Sequence, residues 1–333
     1  MKSFLKRKTL DTFISVCGYI YGLKTLVILI FTGISLTFAN TQTLCQTWTE
    51  ERAGNLDVSV INEASGMAAS QVDLNRLYHI NDTWQQNAPE FFITDMAGQT
   101  IQTVRLENVS YSPRTIDTED MDVGPCGGAS CLFIGDIGDN RGNRAELRIF
   151  VVEEFAEVPE SVTPKQMIRV QYPDGARDSE SMAIHPNGDI YMLSKEGASL
   201  LGTAPAKLYR LPREVWENAG DELLTLELVA SIDLRALSGT TVNVFSHIAT
   251  GMDISGDGQR LLILTYGEIF EIAVDVSRLN GQTISTETPY KQIEVVTLLQ
   301  QESISYASEG YSFFYTAEAA SGGAPLMQET CVN

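Results

Sequence analysis

Apolar residues in this chain fall in short runs separated by turn-forming residues, with few stretches at helical spacing. Residues 178–197, DSESMAIHPNGDIYMLSKEG, show the unit. MAI and IYML are strand-like runs, and His185-Pro186-Asn187-Gly188-Asp189 is the turn between them. The unit recurs as ASGMAAS (64–70), TEDMDVGP (118–125), SESMAIHP (179–186), TGMDISGDG (250–258) and QESISYASEG (301–310). Its anchors are Met67, Met121, Met182, Met252 and Ile304, spaced by roughly 50–70 residues, a little longer than a usual propeller blade repeat. A second apolar run follows each: RLYHIND, CLFIGDIGDN, DIYMLSKEG, RLLILTYGE and YSFFYTAEA.

Third runs (EFFITDM, ELRIFVVEE, KLYRLPREV, EIFEIAVDV) and fourth runs (TIQTVRL, QMIRVQY, LELVASIDL, QIEVVTLL) complete four of the units. Four short strands per unit predict an all-β fold, a β-propeller of five four-stranded blades. A sixth blade would have to hide in the long insert around 214–246. The fifth unit is truncated, so a strand from the N-terminal side must close the ring, and LDVSVI (56–61) is well placed to do so.

Residues 1–39 stand apart. Lys2, Lys6, Arg7, Lys8 and Lys24 lead into TLVILIFTGISLTFA, which has the length of a signal-peptide core and small residues Thr37 and Ala39 for cleavage. The alternative is an uncleaved N-terminal anchor, the one route by which this chain would meet a membrane. Val16 before Cys17 and the apolar run after it argue against a lipoprotein. The expectation is export to a periplasm or beyond, leaving residues 40–333 as a single propeller domain.

The formal charge is −20, and removing five basic residues and one acidic one with residues 1–39 leaves about −24. Such a surface excludes nucleic acid as a partner and favours cations. Four cysteines remain: Cys45, Cys126, Cys131 and Cys331. Two disulfides fit an exported chain, with three pairings open. Cys126 and Cys131 flank a flexible GGAS and can close locally, which leaves Cys45 with Cys331 and ties the termini together. Paired CxxC units for a zinc site are lacking.

In a propeller, the loop leading into the innermost strand and the loop leaving the second strand open on one rim. The leading side carries Glu63, Glu119, Asp120, Glu180, Asp253 and Glu302; the leaving side carries Asn81, Asp82, Asp136, Asp139, Asn140, Lys195, Glu196, Tyr266 and Glu318. Carboxylates gathered at a narrow opening repel unless they take up protons or a cation. Oxygen-only donors suit Ca²⁺ first and Mg²⁺ second, and three histidines with no neighbouring ligand make a transition metal a poorer fit. Expected metal ligands are Glu119, Asp136, Asp139, Glu180, Asp253 and Glu302, with Glu63, Asn81, Asp82, Asn140, Tyr266 and Glu318 facing a ligand. His247, in FSHIATGMD, precedes the fourth inner strand and offers a general base at the same rim, while His185 lies in a turn on the opposite face.

EASGMAAS…HINDTW, DTEDMDVGP…CLFIGDIGDNRGNR, YPDGARDSESMAIHP and QESISY resemble a broad family of exported bacterial propeller proteins, some labelled phytase- or esterase-like. The resemblance covers nearly all of residues 60–320, with departures at Thr83-Trp84 and at Thr118. It implies a polar rim site similar to those of calcium-dependent propeller hydrolases such as phytases and lactonases. Few basic residues (Lys195, Arg141, Arg144) lie near the motif ends to hold a polyphosphate. Two functions follow. One is a binding module whose rim takes a small-molecule, glycan or protein ligand with a divalent cation. The other is a Ca²⁺-dependent hydrolase of a phosphoester, ester or lactone, with Glu180 or His247 as base and Lys195 stabilising developing negative charge.

Overall fold

The computed structural model describes residues 44–82, 89–109, 116–196, 204–239, 244–319 and 323–332. Residues 1–39 and the Thr83-Trp84 step lie outside them. The described residues begin with β1 (Trp48–Leu56) as their first strand and then build blade I from β2 (Ala64–Ala69), β3 (Leu77–Asn81), β4 (Glu90–Thr94) and β5 (Thr100–Leu106). Blade II is β6 (Thr118–Cys126), β7 (Ala129–Asp136), β8 (Leu147–Glu153) and, after the two-residue β9 (Ser161–Val162), β10 (Gln166–Gln171).

Blade III is β11 (Ser179–Ile184), β12 (Ile190–Ser194) and β13 (Ala206–Leu211); α1 (Arg213–Trp216) and β14 (Leu223–Thr225) precede its fourth strand, β15 (Glu227–Ile232). After α2 (Leu234–Ser238), blade IV is β16 (Ala249–Ile254), β17 (Arg260–Thr265), β18 (Ile269–Ala273) and, beyond β19 (Gln282–Ile284), β20 (Tyr290–Ile293). Blade V is β21 (Gln301–Tyr306), β22 (Ser312–Ala317) and β23 (Ala324–Cys331), with β1 as its outer strand. The protein is an all-β, five-bladed propeller, and the described part of 214–246 holds β14, β15 and α2 rather than a sixth sheet.

The second strands read as unbroken apolar runs because both their faces are buried between blades. On β7, Leu132 and Ile134 pack on Tyr78, Phe91 and Ile93 of blade I, while Phe133 on the other face joins Met182, Ile190 and Met192 of blade III. Similar layers fill the III–IV, IV–V and V–I interfaces. Outer edges are covered in a regular way. β9, β14 and β19 each leave the third-to-fourth connection of one blade and pair parallel with the outer strand of the blade before it. In blade I the turn does the same work: a Cβ at Gly54 of β1 would lie 1.9 Å from Ala97 O. Covered edges leave less unpaired backbone for stray association.

The closing strand differs from the expected LDVSVI. β1 pairs with β23 from Trp48↔Cys331 to Leu56↔Ala324, so only Leu56 of that segment takes part. Residues 57–61 turn instead, with Val60 N–H donating to Asp57 O (2.9 Å) and Ser59 N–H to Asp57 Oδ1 (3.0 Å). A mostly polar outer strand, WTEERAGNL, carries no apolar run by which to find it. The fourth strand of blade IV likewise ends at Ile293, short of QIEVVTLL. Beyond it the chain crosses to blade V, where Val296 N–H donates to Glu50 Oε1 (2.7 Å) and its carbonyl accepts from Tyr315 Oη (3.0 Å). Both disulfides form as expected, Cys45–Cys331 beside the closing strand and Cys126–Cys131 across the β6–β7 hairpin. Two disulfides fit an oxidising compartment, and among the described residues no helix is long and apolar enough to cross a membrane.

The inner strands β2, β6, β11, β16 and β21 pack round the axis, each carrying a β-bulge at its second residue: Ser65, Glu119, Glu180, Thr250 and Glu302. The five anchor residues all stand two positions beyond the bulge. Four positions beyond it, the inner edge of each blade presents an N–H to the axis, and all five are capped. Asp122 accepts from Val123 and Ile184 (2.6 and 2.6 Å), Asp253 from Ile254 and Tyr306 (2.5 and 2.7 Å), and Ser305 Oγ from Ala69 (3.2 Å). Three side chains thus tie blade II to blade III and tie blades IV, V and I in sequence. Asp122→Ala leaves two buried N–H groups without acceptors. It should lower stability by about 3 kcal/mol in urea unfolding followed by circular dichroism, and a loss within error of zero would show that the cap is dispensable.

Candidate cation site at the mouth of the propeller

Register places three rings of five at the mouth. The bulge residues form one, because the extra residue in the inner strand re-aims a side chain at the axis. Two residues earlier come Glu63, Asp117, Asp178, Ile248 and Gln300. Their carbonyls accept from the backbone N–H of Asp82, Gly138, Lys195, Tyr266 and Glu318, which form the third ring just past the second strands. These rings hold eight carboxyl groups (Glu63, Asp82, Asp117, Glu119, Asp178, Glu180, Glu302, Glu318) and one ammonium, Lys195.

Asp82, Asp117 and Glu119 offer carboxylate oxygens that all lie within 4.8 Å of one another. Glu119 Oε2 accepts from Ser65 Oγ (3.0 Å), and Asp82 Oδ1 is buried with no hydrogen-bond partner. Gly138 backs the group: a Cβ there would sit 2.4 Å from Glu119 Oε1 and 2.6 Å from Asp117 Oδ2. Blade II therefore supplies bare backbone where the other blades supply side chains. Burial, then the charge of Asp82, pushes the Asp117 carboxyl up to about 7. Burial and neighbouring acids also raise Asp82, and raise Glu119 strongly. Across the mouth, burial and then Glu302 and Glu63 push Glu318 up to about 8. Lys195 pairs with Glu180 Oε1 and lies 5.4 Å from the Tyr266 ring centroid, while Tyr266 Oη donates to Glu302 Oε1 (3.0 Å).

Most of the other sequence-predicted residues sit away from this group. Asp253 stands three positions past the bulge residue Thr250, deep in the channel, where it caps backbone N–H groups; burial pushes its carboxyl up to about 7. Asp120 is also below the mouth and accepts from Met121 and Met182 N–H (2.8 and 2.7 Å). Asp136 is held by Arg144 (2.8 Å) and Arg148 (3.7 Å) and accepts from Asp117 N–H (2.9 Å). Asp139 folds the GDIGDN loop, accepting from Arg144 N–H (2.8 Å) and donating its own N–H to Asp178 Oδ1 (2.7 Å); Asn140 is exposed. Asn81 Oδ1 accepts from Glu63 N–H (3.3 Å), and its amide donates to Val60 O (3.0 Å). Glu63 is exposed, its charge felt by Asp82 and Glu318.

His247 lies 3.5 Å from Glu268 Oε2, a carboxylate itself bonded to Ser238 and Gln292. His79 is buried against Thr94 Oγ1 (2.9 Å) and held neutral, burial pushing it down to about 3. Sequence reasoning missed Asp117. The signal was present, since Asp117-Thr118-Glu119 recurs as Asp178-Ser179-Glu180 at the start of successive inner strands.

The donors sort themselves by what surrounds them. Carboxylates in the channel face backbone N–H groups and are satisfied by the fold. Asp82, Asp117 and Glu119 at the mouth face each other, with oxygen donors alone, which fits a hard divalent cation.

No model of a known protein family matches the chain, and no curated protein matches it. Among solved structures it is similar to a luciferin-regenerating enzyme (12% identity, TM-score 0.44, covering 85% of this chain and 95% of that one). It is also similar to a hydrazine synthase of Kuenenia stuttgartiensis (11% identity, TM-score 0.41, covering 79% and 70%). Likeness at this level carries no argument about activity, and the propeller assignment rests on the five sheets themselves.

Proposed function

We propose that this is an exported propeller that binds a divalent cation at its mouth, Ca²⁺ before Mg²⁺, and through it an oxygen-bearing ligand, be it a small molecule, a glycan or a protein. The observation that carries this is the convergence of Asp82, Asp117 and Glu119 within 4.8 Å, with Asp82 Oδ1 lacking any donor. Three carboxylates in such contact are stable when protons or a cation neutralise them. Asp82, Asp117 and Glu119 would hold the ion, leaving further coordination positions for the ligand, since Ca²⁺ takes six to eight oxygens.

Thermal melting of chelator-treated protein tests this. One millimolar Ca²⁺ should raise the midpoint by roughly 5 °C or more, and Glu119→Gln and Asp117→Asn should each abolish the rise. No response to Ca²⁺ or Mg²⁺ in the unaltered protein would refute the cation site, and the mouth would then be read as a docking surface for a cationic partner.

A hydrolase reading is favoured by one feature. Glu180 Oε2 is buried with no hydrogen-bond partner, next to the Lys195 pair. Glu180 would act as base toward water and Lys195 would hold negative charge developing on an ester, lactone or phosphoester, with the cation polarising the substrate oxygen. Turnover on such a panel, lost in Glu180→Gln with the calcium shift retained, would support it.

A further inference from the structure

Lys195 is placed differently from every other cation near the mouth. Arg144 and Arg148 are spent on Asp136, and Arg177 is paired with Asp174 and Glu196. Lys195 alone among the described ring residues brings a positive charge to the axis. Its backbone is fixed by the bond from its N–H to Asp178 O (2.9 Å), and its side chain is only 11% exposed. The ammonium is held between Glu180 Oε1 and the face of Tyr266, whose hydroxyl is bonded to Glu302. Its charge also reaches Asp82 and Glu119, which it favours in their ionised forms.

The pairing is half made. Glu180 is 6% exposed, stands at the bulge position that faces the axis, and keeps Oε2 buried without a donor. A buried carboxylate with one oxygen on an ammonium and the other open is arranged for a second positive group, or for exchange of the first.

We propose that Lys195 is the resident counter-ion of the mouth, and that a divalent cation binds there by displacing its ammonium from Glu180 and Tyr266. The proposal rests on the reading of the mouth as a cation site. Two positive groups in one enclosed opening repel, so cation binding and ammonium docking exclude each other. Lys195 then sets the cation concentration at which the mouth fills, keeping it neutralised and folded below that concentration. On displacement the ammonium swings outward, toward whatever anionic ligand the bound cation recruits.

Calorimetric titration with Ca²⁺ of the unaltered protein, Lys195→Met and Lys195→Gln tests the competition. Both variants should bind at least about tenfold more tightly, because the competing charge is gone. Amine-reactive labelling with peptide mapping supplies an independent readout on the unaltered protein, in which Ca²⁺ should increase modification at Lys195 and leave Lys207 unchanged. Equal or weaker binding in both variants while the unaltered protein binds, or labelling at Lys195 that falls with Ca²⁺, would overturn the displacement and leave the cation site standing. Absence of binding in all three proteins would overturn both together.

Discussion

Stripped of divalent cations, the protein should be most stable near pH 4–5 and lose roughly 5–10 °C of melting temperature by pH 8. Asp117, Asp253 and Glu329, each pushed up to about 7 mainly by burial, and Glu318, pushed up to about 8, keep protons in the folded chain that the unfolded chain has already released. From about pH 4 upward the native state therefore binds the extra protons, and stability falls as pH rises through the folded values. His79 works in the opposite direction over part of the same range, one group against four. It is held neutral down to about 3, so below its ordinary value near 6.5 the unfolded chain gains the extra proton, and its own contribution to stability falls as pH drops. Calcium should flatten the alkaline limb in part, because a cation replaces protons at Asp82 and Asp117, while Asp253 and Glu329 still titrate. Melting curves from pH 5 to 8, with and without Ca²⁺, give the answer. An alkaline limb that is flat in chelator would mean that neither the mouth carboxylates nor the buried Asp253 and Glu329 hold protons as described.

Removal of the Cys45–Cys331 bridge, as the Cys45→Ser, Cys331→Ser pair, should cost about 4–5 kcal/mol, against about 2 kcal/mol for the Cys126, Cys131 pair. The first bridge spans 286 residues and the second only 5, so they restrict the unfolded chain to very different degrees. The first also sits at the point where β1 meets β23 and the ring closes. Urea unfolding measures the loss, and hydrogen exchange along β1 should show that strand opening first. Equal losses for the two bridges would mean that the β1–β23 ladder holds the ring by itself. Next to this seam lies a cost already present in the fold: Glu50 and Glu329 stand opposite each other across the two strands, and Glu329 is buried with neither oxygen bonded.

Much of this is legible in the sequence. Met67, Met121, Met182, Met252 and Ile304 fall at one structural position, and the second-strand runs and both disulfide pairs stand where the pattern puts them. Glu119, Glu180 and Glu302 likewise share the bulge position. Errors of register begin where a blade lacks an acid there. Blade I has Ser65 and blade IV has Thr250, so reading for carboxylates slides to Glu63, two residues early, and to Asp253, three residues late. A bulge breaks the alternation of side chains, and only pairing with the second strand reveals which residue it turns toward the axis.

The chain's own pattern of short apolar runs, turns and cysteines determines a five-bladed ring closed near its ends, because the second strand of each blade must bury both faces and that requirement is written in local composition. The meaning of its acids was decided by the tertiary structure. Asp253 and Asp82 are the same residue type, one inside an apolar strand and the other just after one, yet Asp253 receives the Tyr306 N–H from the neighbouring blade's edge and Asp82 Oδ1 receives no donor. Whether a carboxylate is satisfied by the fold or left open for a cation depends on which donors distant segments bring to it, and those donors come from blades some fifty residues away along the chain.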